Sequence, residues 1–503
     1  MRLGSPPSVP VIIGVGQYVH RPSRPGEAMD PLEMIRKAIG EAEQDAGLAG
    51  LARKIDTLCL VNILSYPPDG LPGELTRRIQ ASPKIQEYTW VGACAPQWFV
   101  NRTADRISSG QARLALICGG EAFYSLKLKA KDQGSKGWNR TFPAKMPWMV
   151  GDLRDPLTAL EAKYGLLLPV QIYPLFENSF RYSEGLSIEA NRNELGEFCS
   201  KLSAIASENP NAWFKNFKTK EEIMNPGPGN RMISFPYTKF MCSIMDVDQA
   251  AALFLADEAV ADELGIPPEK RIYPIGGADA SDTWHVSMRR DLHASPSVKI
   301  AAQTAMAQAK VDIDQIDFLD FYSCFPCAPR ITARMLGIPK DDPRPLTITG
   351  GMPYFGGPGN NYSLHAICNM ADLLRREPEK IGLVQALSWF ISKHSVGIYS
   401  GVSRQEKWVS SSPDSNQDRL VAPESPHIRE EGEGPATVET FTLFHDRDGE
   451  AVGGVIFGKF EDGSRCLAKL PEDRSVFQAI MSEEFVGKRG KVKFVDGFNI
   501  FRP

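Results

Sequence analysis

Cys94 is the residue whose type and position are best suited to chemistry. It follows the short strand pattern Tyr88-Thr-Trp-Val91 and precedes a helix that the apolar spacing predicts from Pro96 to Ser109, ended by Gly110. The partial positive charge at a helix N-terminus stabilises a thiolate and lowers the thiol pKa. This junction therefore predicts a nucleophilic cysteine close to backbone N–H groups that could hold an oxyanion. The alternative is a small cysteine packed in the core.

Three other side chains could move protons near such a nucleophile. His394 lies shortly after the last predicted core strand, and a neutral imidazole could take a thiol proton at physiological pH. Tyr322 and Tyr354 could form an acid–base pair acting on a hydroxyl or ketone, if the site lowered the pKa of one of them. The alternative for each is a structural role, as a satisfied histidine or a packed aromatic ring.

A glycine-rich segment runs from Gly350 to Gly359 and includes Tyr354. Its glycines could let the backbone approach a ligand closely, and we expect cofactor or substrate contacts at Gly350, Gly351, Gly356 and Gly357. The sequence has no phosphate-loop, dinucleotide-binding, zinc-protease or serine-hydrolase motif, so those four chemistries lose support.

The pair Cys324 and Cys327 is the chain's single Cys-x-x-Cys, and no second pair with zinc spacing accompanies it. We therefore expect no metal and no permanently bound cofactor. The nine cysteines are scattered, mostly in apolar surroundings, which is typical of a reducing compartment and favours a cytoplasmic location.

The composition describes an ordinary globular chain of several domains. Its 503 residues carry 57 Lys+Arg against 61 Asp+Glu, a net charge of −4, which argues against nucleic acid as the main partner. The longest apolar runs are too short to span a bilayer, and the first residues do not resemble a signal peptide.

Strand and helix patterns alternate in two stretches, 10–122 and 272–402, which indicates two copies of one α/β unit with mostly parallel sheets. Between the copies, 123–270 looks irregular. It is locally basic through Lys127-Leu-Lys-Ala-Lys131, Lys136 and Lys145, which would suit a phosphate-bearing ligand.

The C-terminal part divides into a linker and a small β domain. Residues 403–436 are rich in Ser, Pro, Glu and Gly. After them, five short strand patterns with one helix between the third and fourth predict a barrel of the oligonucleotide/oligosaccharide-binding (OB) type. The predicted boundaries are 1–122, 123–270, 271–402, 403–436 and 437–503.

The segment Val91-Gly-Ala-Cys-Ala-Pro-Gln97, together with Gly119-Gly-Glu-Ala122, resembles the nucleophile segment of the thiolase superfamily. Over the whole chain, the sequence resembles thiolase-like proteins with an extra C-terminal domain, named loosely as acetyl-CoA acetyltransferases; matching segments include Tyr322-Ser-Cys-Phe-Pro and Lys393-His-Ser-Val-Gly. The resemblance implies an α/β fold with duplicated α/β/α layers, an irregular insertion and a small OB-like barrel. It also implies a coenzyme A thioester as substrate, a role in lipid metabolism and pairing as a homodimer through a sheet edge.

The chain departs from the family's catalytic set at three places. The family has a catalytic histidine in a Gly-His-Pro loop, and the corresponding segment here is Gly356-Gly357-Pro358, with glycine in place of the histidine. At a second catalytic position, where thiolases have His or Asn, this chain has Tyr322. Its second cysteine, in a Cys-x-Gly motif, has no counterpart in Gln385-Ala-Leu-Ser-Trp389. Of that set, only Cys94 remains.

Three hypotheses follow. The first is an acyltransferase that makes or breaks a carbon–carbon bond next to a thioester, with an acyl group on Cys94 and with Tyr322 and His394 handling protons. The second is a retro-aldolase acting on acyl-CoA through Tyr322 and Tyr354; some thiolase-like relatives do this with a partner that contains such a barrel. The third is a non-catalytic acyl-CoA-binding protein.

Overall fold

The computed structural model describes residues 8–132, 146, 148–404, 408, 409 and 424–503. Its strands, in chain order, are β1 (Pro10–Val19), β2 (Thr57–Leu60), β3 (Ile85–Tyr88), β4 (Leu114–Ala122), β5 (Met232–Phe235), β6 (Tyr237–Thr238), β7 (Asp248–Asp257), β8 (Tyr273–Ser281), β9 (Phe318–Phe321), β10 (Ile381–Ser388), β11 (Lys393–Ser400), β12 (Gly434–His445), β13 (Ala451–Lys459), β14 (Arg465–Lys469), β15 (Arg489–Val495) and β16 (Phe498–Arg502).

The α-helices of the same residues are α1 (Pro31–Ala46), α2 (Gly73–Ile79), α3 (Ala95–Ser108), α4 (Phe123–Asp132), α5 (Ala159–Lys163), α6 (Pro169–Ser183), α7 (Ile188–Glu208), α8 (Lys220–Met224), α9 (Glu258–Glu263), α10 (Pro296–Ala309), α11 (Cys327–Met335), α12 (Tyr362–Arg376) and α13 (Arg474–Ser482).

Two sheets repeat one strand order, which confirms the predicted duplication. The first sheet runs β1-β7-β4-β2-β3 and the second runs β8-β11-β10-β9. In each sheet the second strand is antiparallel to both neighbours, while β2 pairs in parallel with β4 and β9 pairs in parallel with β10. The strand β11 therefore occupies the same place in its sheet as β7 does in the first.

The helices α3 and α12 lie between the two sheets and form the central layer. Phe99, Val100 and Ile107 of α3 pack with Leu364 and Ile367 of α12 in one apolar cluster that also contains residues of both sheets. The outer faces of the sheets are covered by α1 on one side and α10 on the other. Because α3 has a sheet on each side, groups at its N-terminus are far more enclosed than on a surface helix.

Local sequence signals set the ends of these helices. The Asp30 carboxylate accepts a hydrogen bond from the Glu33 amide at 2.9 Å, and Pro31 occupies the first helical turn of α1, a pattern of residues that favours a helix start. Gly47 ends α1 in the left-handed conformation, with φ of 73°.

The segment 123–270 is more regular than the sequence pattern indicates. It contains the long helices α6 and α7, and Pro174 inside α6 hides that helix from a periodicity search. Its last strand, β7, lies inside the first sheet between β1 and β4. The run Ala250–Ala252 has little strand preference, so the burial of β7 between two neighbours decides its conformation.

The C-terminal strands close into a five-stranded barrel. Their order is β13-β14-β16-β15-β12, and β12 pairs with β13 to complete the ring. The structure has the five strands that the sequence predicts for this domain, with α13 between the third and the fourth. The barrel also joins the insertion, because Leu443 and Phe444 of β12 pair with Phe235 and Ser234 of β5.

Within the described residues, none of the helices is both long and apolar enough to cross a membrane. Lys136 and Lys145 of the predicted basic segment and residues 410–423 of the predicted linker lie outside the described residues. Lys127, which is described, pairs with Asp246 at 2.5 Å.

Candidate active site

Cys94 lies at the N-terminal end of α3, in a turn that the second half of the chain holds in place. The Cys94 amide donates to the Ser388 hydroxyl at 2.8 Å, and the Gly92 amide donates to the side-chain oxygen of Asn360 at 2.9 Å. The Ser363 hydroxyl donates to the Ala93 carbonyl at 3.0 Å. Three bonds from β10, α12 and the loop before α12 therefore fix the cysteine relative to the second sheet.

The cysteine borders a cavity of about 440 Å³ between the two halves of the chain. The walls come from the ends of β3 and α3, from the loop 150–152, and from β8 and β11. The lining residues are Thr89, Trp90, Cys94, Ala95, Trp98, Val150, Gly151, Asp152, Asp279, Ala280, Ser281, Lys393, His394 and Ser395. The other eight cysteines are buried and do not line this cavity.

Lys393 brings a positive charge to the thiol. In the antiparallel pair of β11 and β8, Lys393 lies opposite Ser281 and Ser395 lies opposite Asp279. All four side chains therefore lie on the face of the sheet that meets α3. A methyl group at Gly92 would lie only 2.9 Å from the Lys393 Nζ, which shows how closely the lysine approaches the turn before Cys94. The ammonium also lies 5.8 Å from the centre of the Trp284 ring.

Burial raises the pKa of the Cys94 thiol, whereas the helix end alone predicts a lowered value. The Lys393 charge and the hydroxyls of Ser388 and Ser395 act in the opposite direction and favour the thiolate, while Asp279 disfavours it. The lowering of the thiol pKa that the helix end predicts is therefore wrong in sign. Desolvation between two sheets, which the sequence does not reveal, outweighs the helix end.

Asp279 is a further titratable group that faces the cavity. Its carboxylate accepts a hydrogen bond from the Asn101 side chain of α3 at 3.2 Å, and it interacts with the Ser395 hydroxyl. Desolvation raises the pKa of Asp279 to about 7, and the negative charge of Asp105 adds to the rise. Ser395 stands opposite Asp279 in the pair of β8 and β11 and lines the same cavity as Cys94, and its hydroxyl favours the charged forms of both groups.

The structure does not bring the His394 imidazole to Cys94. His394 borders the cavity, but its ring lies on the opposite face of β11 from Lys393 and Ser395. There its Nδ1 meets the Gln385 amide at 3.0 Å and its Nε2 meets the Ser295 hydroxyl at 3.0 Å. Asp282 lies 3.7 Å from the same nitrogen. This buried network joins β10 and β11 to the residue after β8 and to the N-cap of α10, and it gives His394 a structural environment.

The two candidate tyrosines have different neighbours. Tyr322 lies close enough to Cys94 for the charge of a thiolate there to raise the pKa of the phenol. Its ring packs edge-on against that of Tyr362, with ring centres 5.6 Å apart. Tyr354 instead lies against the Cys199 thiol of α7. Burial raises the pKa of both phenols well above the usual range. The contacts do not show the two tyrosines as a pair, and neither phenol is tuned to act as a base.

The glycines at 350–357 are in contact with the protein's own chain rather than with open space. An added Cβ would lie 2.5 Å from the Ala206 Cα at Gly350 and 2.9 Å from a Leu202 side-chain carbon at Gly351. At Gly356 and Gly357 it would lie 2.4 Å from the side chains of Gln249 and Ser243. The four glycines therefore serve close packing, and Gly357 has no room for the family's histidine without movement of its neighbours.

Four site residues were not singled out by the sequence: Ser388, Lys393, Ser395 and Asp279. Ser388 belongs to the segment in which the family's second cysteine is missing, and Lys393 and Ser395 belong to a matching segment. The available signal was the presence of polar residues at alternate positions of a buried strand. In the described part of the chain, we find no cluster of histidine, cysteine and carboxylate side chains that could hold a metal ion.

The duplicated layers, the cysteine at the N-terminus of α3 and the appended barrel define a thiolase-like protein. A family model described as "Thiolase-like protein type 1 additional C-terminal domain" matches residues 416–497. The chain belongs to the thiolase superfamily and carries this additional C-terminal domain.

A solved structure with the same organisation is a monomeric SCP2-thiolase-like protein type 1 from Mycobacterium smegmatis. It is 30% identical, each chain covers 99% of the other, and the TM-score is 0.84. An Ltp2–ChsH2(DUF35) aldolase shares the fold with a TM-score of 0.60. It is 17% identical in sequence, and the match covers 79% of this chain and 99% of that chain.

An acetyl-CoA acetyltransferase from Methanothermobacter thermautotrophicus is 29% identical over 182 residues, which cover 35% of this chain and 44% of that protein. The chain spans less than half the length of the curated relatives it matches.

Proposed function

We propose that the protein is an acyl-CoA acyltransferase that carries the acyl group on Cys94 while a carbon–carbon bond next to the thioester is made or broken. The observation that carries this proposal is the position of Cys94 at the wall of a cavity, beside the Lys393 ammonium and the Ser388 hydroxyl. The cavity's size is within the usual range of small-molecule sites. The resemblance to an acetyl-CoA acetyltransferase supports an acyl-CoA as the substrate class.

The neighbours of the thiol can serve the first half-reaction. The Cys94 sulfur attacks the thioester carbonyl carbon, the bond from that carbon to the coenzyme A sulfur breaks, and the coenzyme A thiolate leaves. Negative charge develops on the carbonyl oxygen before that bond breaks, and a positioned ammonium or hydroxyl stabilises it. Lys393 and Ser388 are the groups beside Cys94 that can do so.

The test is incubation with acetyl-CoA or acetoacetyl-CoA, followed by mass spectrometry of the peptide that contains Cys94. We expect an acetyl adduct on the wild-type peptide, absent in Cys94→Ala, and turnover that this variant loses. Cys466→Ala, at a buried position of the barrel, is the matched control and should behave as wild type. Equal turnover by wild type and Cys94→Ala would contradict the covalent route.

A second candidate function is non-catalytic binding of acyl-CoA. The raised pKa of the Cys94 thiol favours it, because a protonated thiol is a poor nucleophile. A calorimetric titration that shows coenzyme A binding without an adduct or turnover would support this alternative. The retro-aldolase hypothesis is weaker, since it rests on Tyr322 and Tyr354, whose contacts do not form a pair.

The expected homodimer finds no support. The Mycobacterium smegmatis protein is described as monomeric, and in this chain Val150 forms a bridge with Thr89, directly after the edge strand β3. We propose a monomer as the working form, and sedimentation at micromolar concentration tests it.

A further inference from the structure

Asp279 occupies a position from which it can exchange a proton with Cys94. It stands opposite Ser395 in the antiparallel pair of β8 and β11, and both residues line the cavity that Cys94 borders. Asn101, nearly two helical turns beyond the N-terminus of α3, donates a hydrogen bond to the carboxylate at 3.2 Å. The amide of Asn101 is itself fixed, since its oxygen accepts from the Gln97 side chain at 2.9 Å. The carboxylate is thus oriented by the same helix that presents the thiol.

Several charged or titratable groups surround this carboxyl. On α3 these are Cys94 and Asp105, on β11 the group is Lys393, and across the cavity the group is Asp152. Asp152 forms an ion pair with Arg154 at 2.5 Å, and Asp105 accepts from the Trp408 indole at 2.6 Å. Lys393 is the cation of this set that lies by the thiol.

We propose that Asp279 is the proton acceptor for Cys94, with the Ser395 hydroxyl passing the proton between them. This inference rests on the acyl transfer proposed above, and it supplies the base that the family's missing histidine leaves vacant. The Cys94 S–H gives its proton to the Ser395 oxygen as the Ser395 O–H proton moves to the Asp279 carboxylate. The sulfur then attacks the acyl carbon, and the leaving coenzyme A thiolate recovers the proton from Asp279 by the same route.

The protonation behaviour of the two groups suits this exchange. Burial brings the pKa of Asp279 to about 7, so near neutral pH the group is present in both forms. The pKa of the thiol is also raised, so Cys94 is largely protonated at that pH and needs a base. Lys393 remains beside the sulfur to stabilise the thiolate once the proton has left.

The experiment measures the rate of Cys94 acylation by acetyl-CoA from pH 5 to pH 10 in wild type, Asp279→Asn and Ser395→Ala. In wild type we expect the rate to rise through an apparent pKa of about 7. Asp279→Asn should lose this rise and acylate about 100-fold more slowly at pH 7.5. The acylation rate of Ser395→Ala should also fall. The coenzyme A affinity of both variants, measured by calorimetry, should stay within about threefold of the wild-type value.

Asp105→Asn is the matched control on the same helix. It should keep the rise but move it to lower pH, because the charge of Asp105 contributes to the raised pKa of Asp279. A wild-type pH profile and rate in Asp279→Asn would overturn the inference while leaving the acyl transfer intact.

A second readout separates the two proposals if acetyl-CoA does not acylate the protein. Alkylation of Cys94 by iodoacetamide, followed on the Cys94 peptide, needs no acyltransferase activity. If Asp279 accepts the thiol proton, the wild-type profile contains a step near pH 7 that Asp279→Asn lacks. Identical alkylation profiles would overturn the inference, whatever the substrate proves to be.

Discussion

The Cys94 amide donates a hydrogen bond to the Ser388 hydroxyl at 2.8 Å, although 294 positions separate the two residues in sequence. One half of the duplicated fold thus fixes the nucleophile that the other half carries. Ser388 ends β10, and β10 lies beside β11, which brings Lys393 to the same cysteine. The site therefore depends on how the two sheets pack around α3.

Removal of the Ser388 hydroxyl should loosen the cysteine. In Ser388→Ala the buried Cys94 amide loses its acceptor, which costs about 1–3 kcal/mol in the free energy of unfolding, as measured by urea titration. The alkylation rate of Cys94 at pH 8 should also change, because the hydroxyl no longer favours the thiolate. Ser207→Ala, at a half-buried position of α7 that does not line the cavity, is the control and should alter neither quantity. Wild-type stability in Ser388→Ala would contradict the anchoring role.

Lys393 and His394 are adjacent in sequence but lie on opposite faces of β11. The Lys393 side chain belongs to the candidate site, whereas the His394 side chain belongs to the core. Lys393→Met removes the charge that favours the Cys94 thiolate, so the pKa of the thiol rises and the alkylation profile moves to higher pH. At pH 8 the alkylation rate should fall roughly three- to tenfold. The measurement is mass spectrometry of the alkylated Cys94 peptide across pH.

His394→Gln should give the converse result. Its imidazole bonds the side chains of Gln385 and Ser295 on the far face of the sheet, so the change should lower the free energy of unfolding. The pH at which Cys94 becomes reactive should stay as in wild type. A shift in the His394→Gln profile as large as that of Lys393→Met would instead place the imidazole in the site.

Gly350 tests whether the glycine-rich segment packs or binds. The residue has φ of 112°, and a Cβ would lie 2.5 Å from the Ala206 Cα of α7. Gly350→Ala therefore combines backbone strain with a clash against a helix and should cost about 3 kcal/mol or more in unfolding free energy. Gly47→Ala, with φ of 73° and open space around it, isolates the strain and should cost about 1 kcal/mol.

Coenzyme A affinity completes the Gly350 comparison. If the segment only packs, folded Gly350→Ala protein should bind coenzyme A as tightly as wild type. A stable variant with weakened binding would return these glycines to the ligand site.

Much of the fold could be predicted from the sequence, because periodicity reports burial on one face of an element. The barrel strands alternate between apolar and polar residues and are bounded by turns, so the sequence indicates where β12 to β16 lie. The start of α1 is indicated by Asp30 followed by Pro31. The strand β7 was missed since it is buried on both faces and rich in alanine, and so carries no alternation. Burial on all sides removes the pattern that single-sequence reasoning needs.

The site was predictable at Cys94 and less so around it. A strand–helix junction identifies a cysteine, but the partners Ser388, Lys393 and Asp279 come from strands 185 to 299 positions away along the chain. Which of Lys393 and His394 faces α3 depends on the register of β11 against β8, and the residue types alone do not set it. For the same reason the sign of the shift in the thiol pKa required the structure.

Arg465 of β14 joins the barrel to the second half of the core. It is almost fully buried, pairs with Glu439 at 2.6 Å and donates to the carbonyls of Ser287 and Arg289 at 2.8 and 2.5 Å. Arg465→Met leaves the Glu439 carboxylate and the two carbonyls without this donor, which should cost about 3–5 kcal/mol in unfolding free energy.

The loss of stability in Arg465→Met should be confined to the contact between the barrel and the core. We expect faster cleavage by trypsin in Arg465→Met, while alkylation of Cys94 proceeds at the wild-type rate because the arginine does not line the cavity. Arg489→Met, which removes an exposed ion pair with Glu461, is the control on the same barrel and should change stability by less than about 1 kcal/mol. If Arg465→Met also slowed Cys94 alkylation, the barrel would be coupled to the site through the core, and its role would extend beyond attachment.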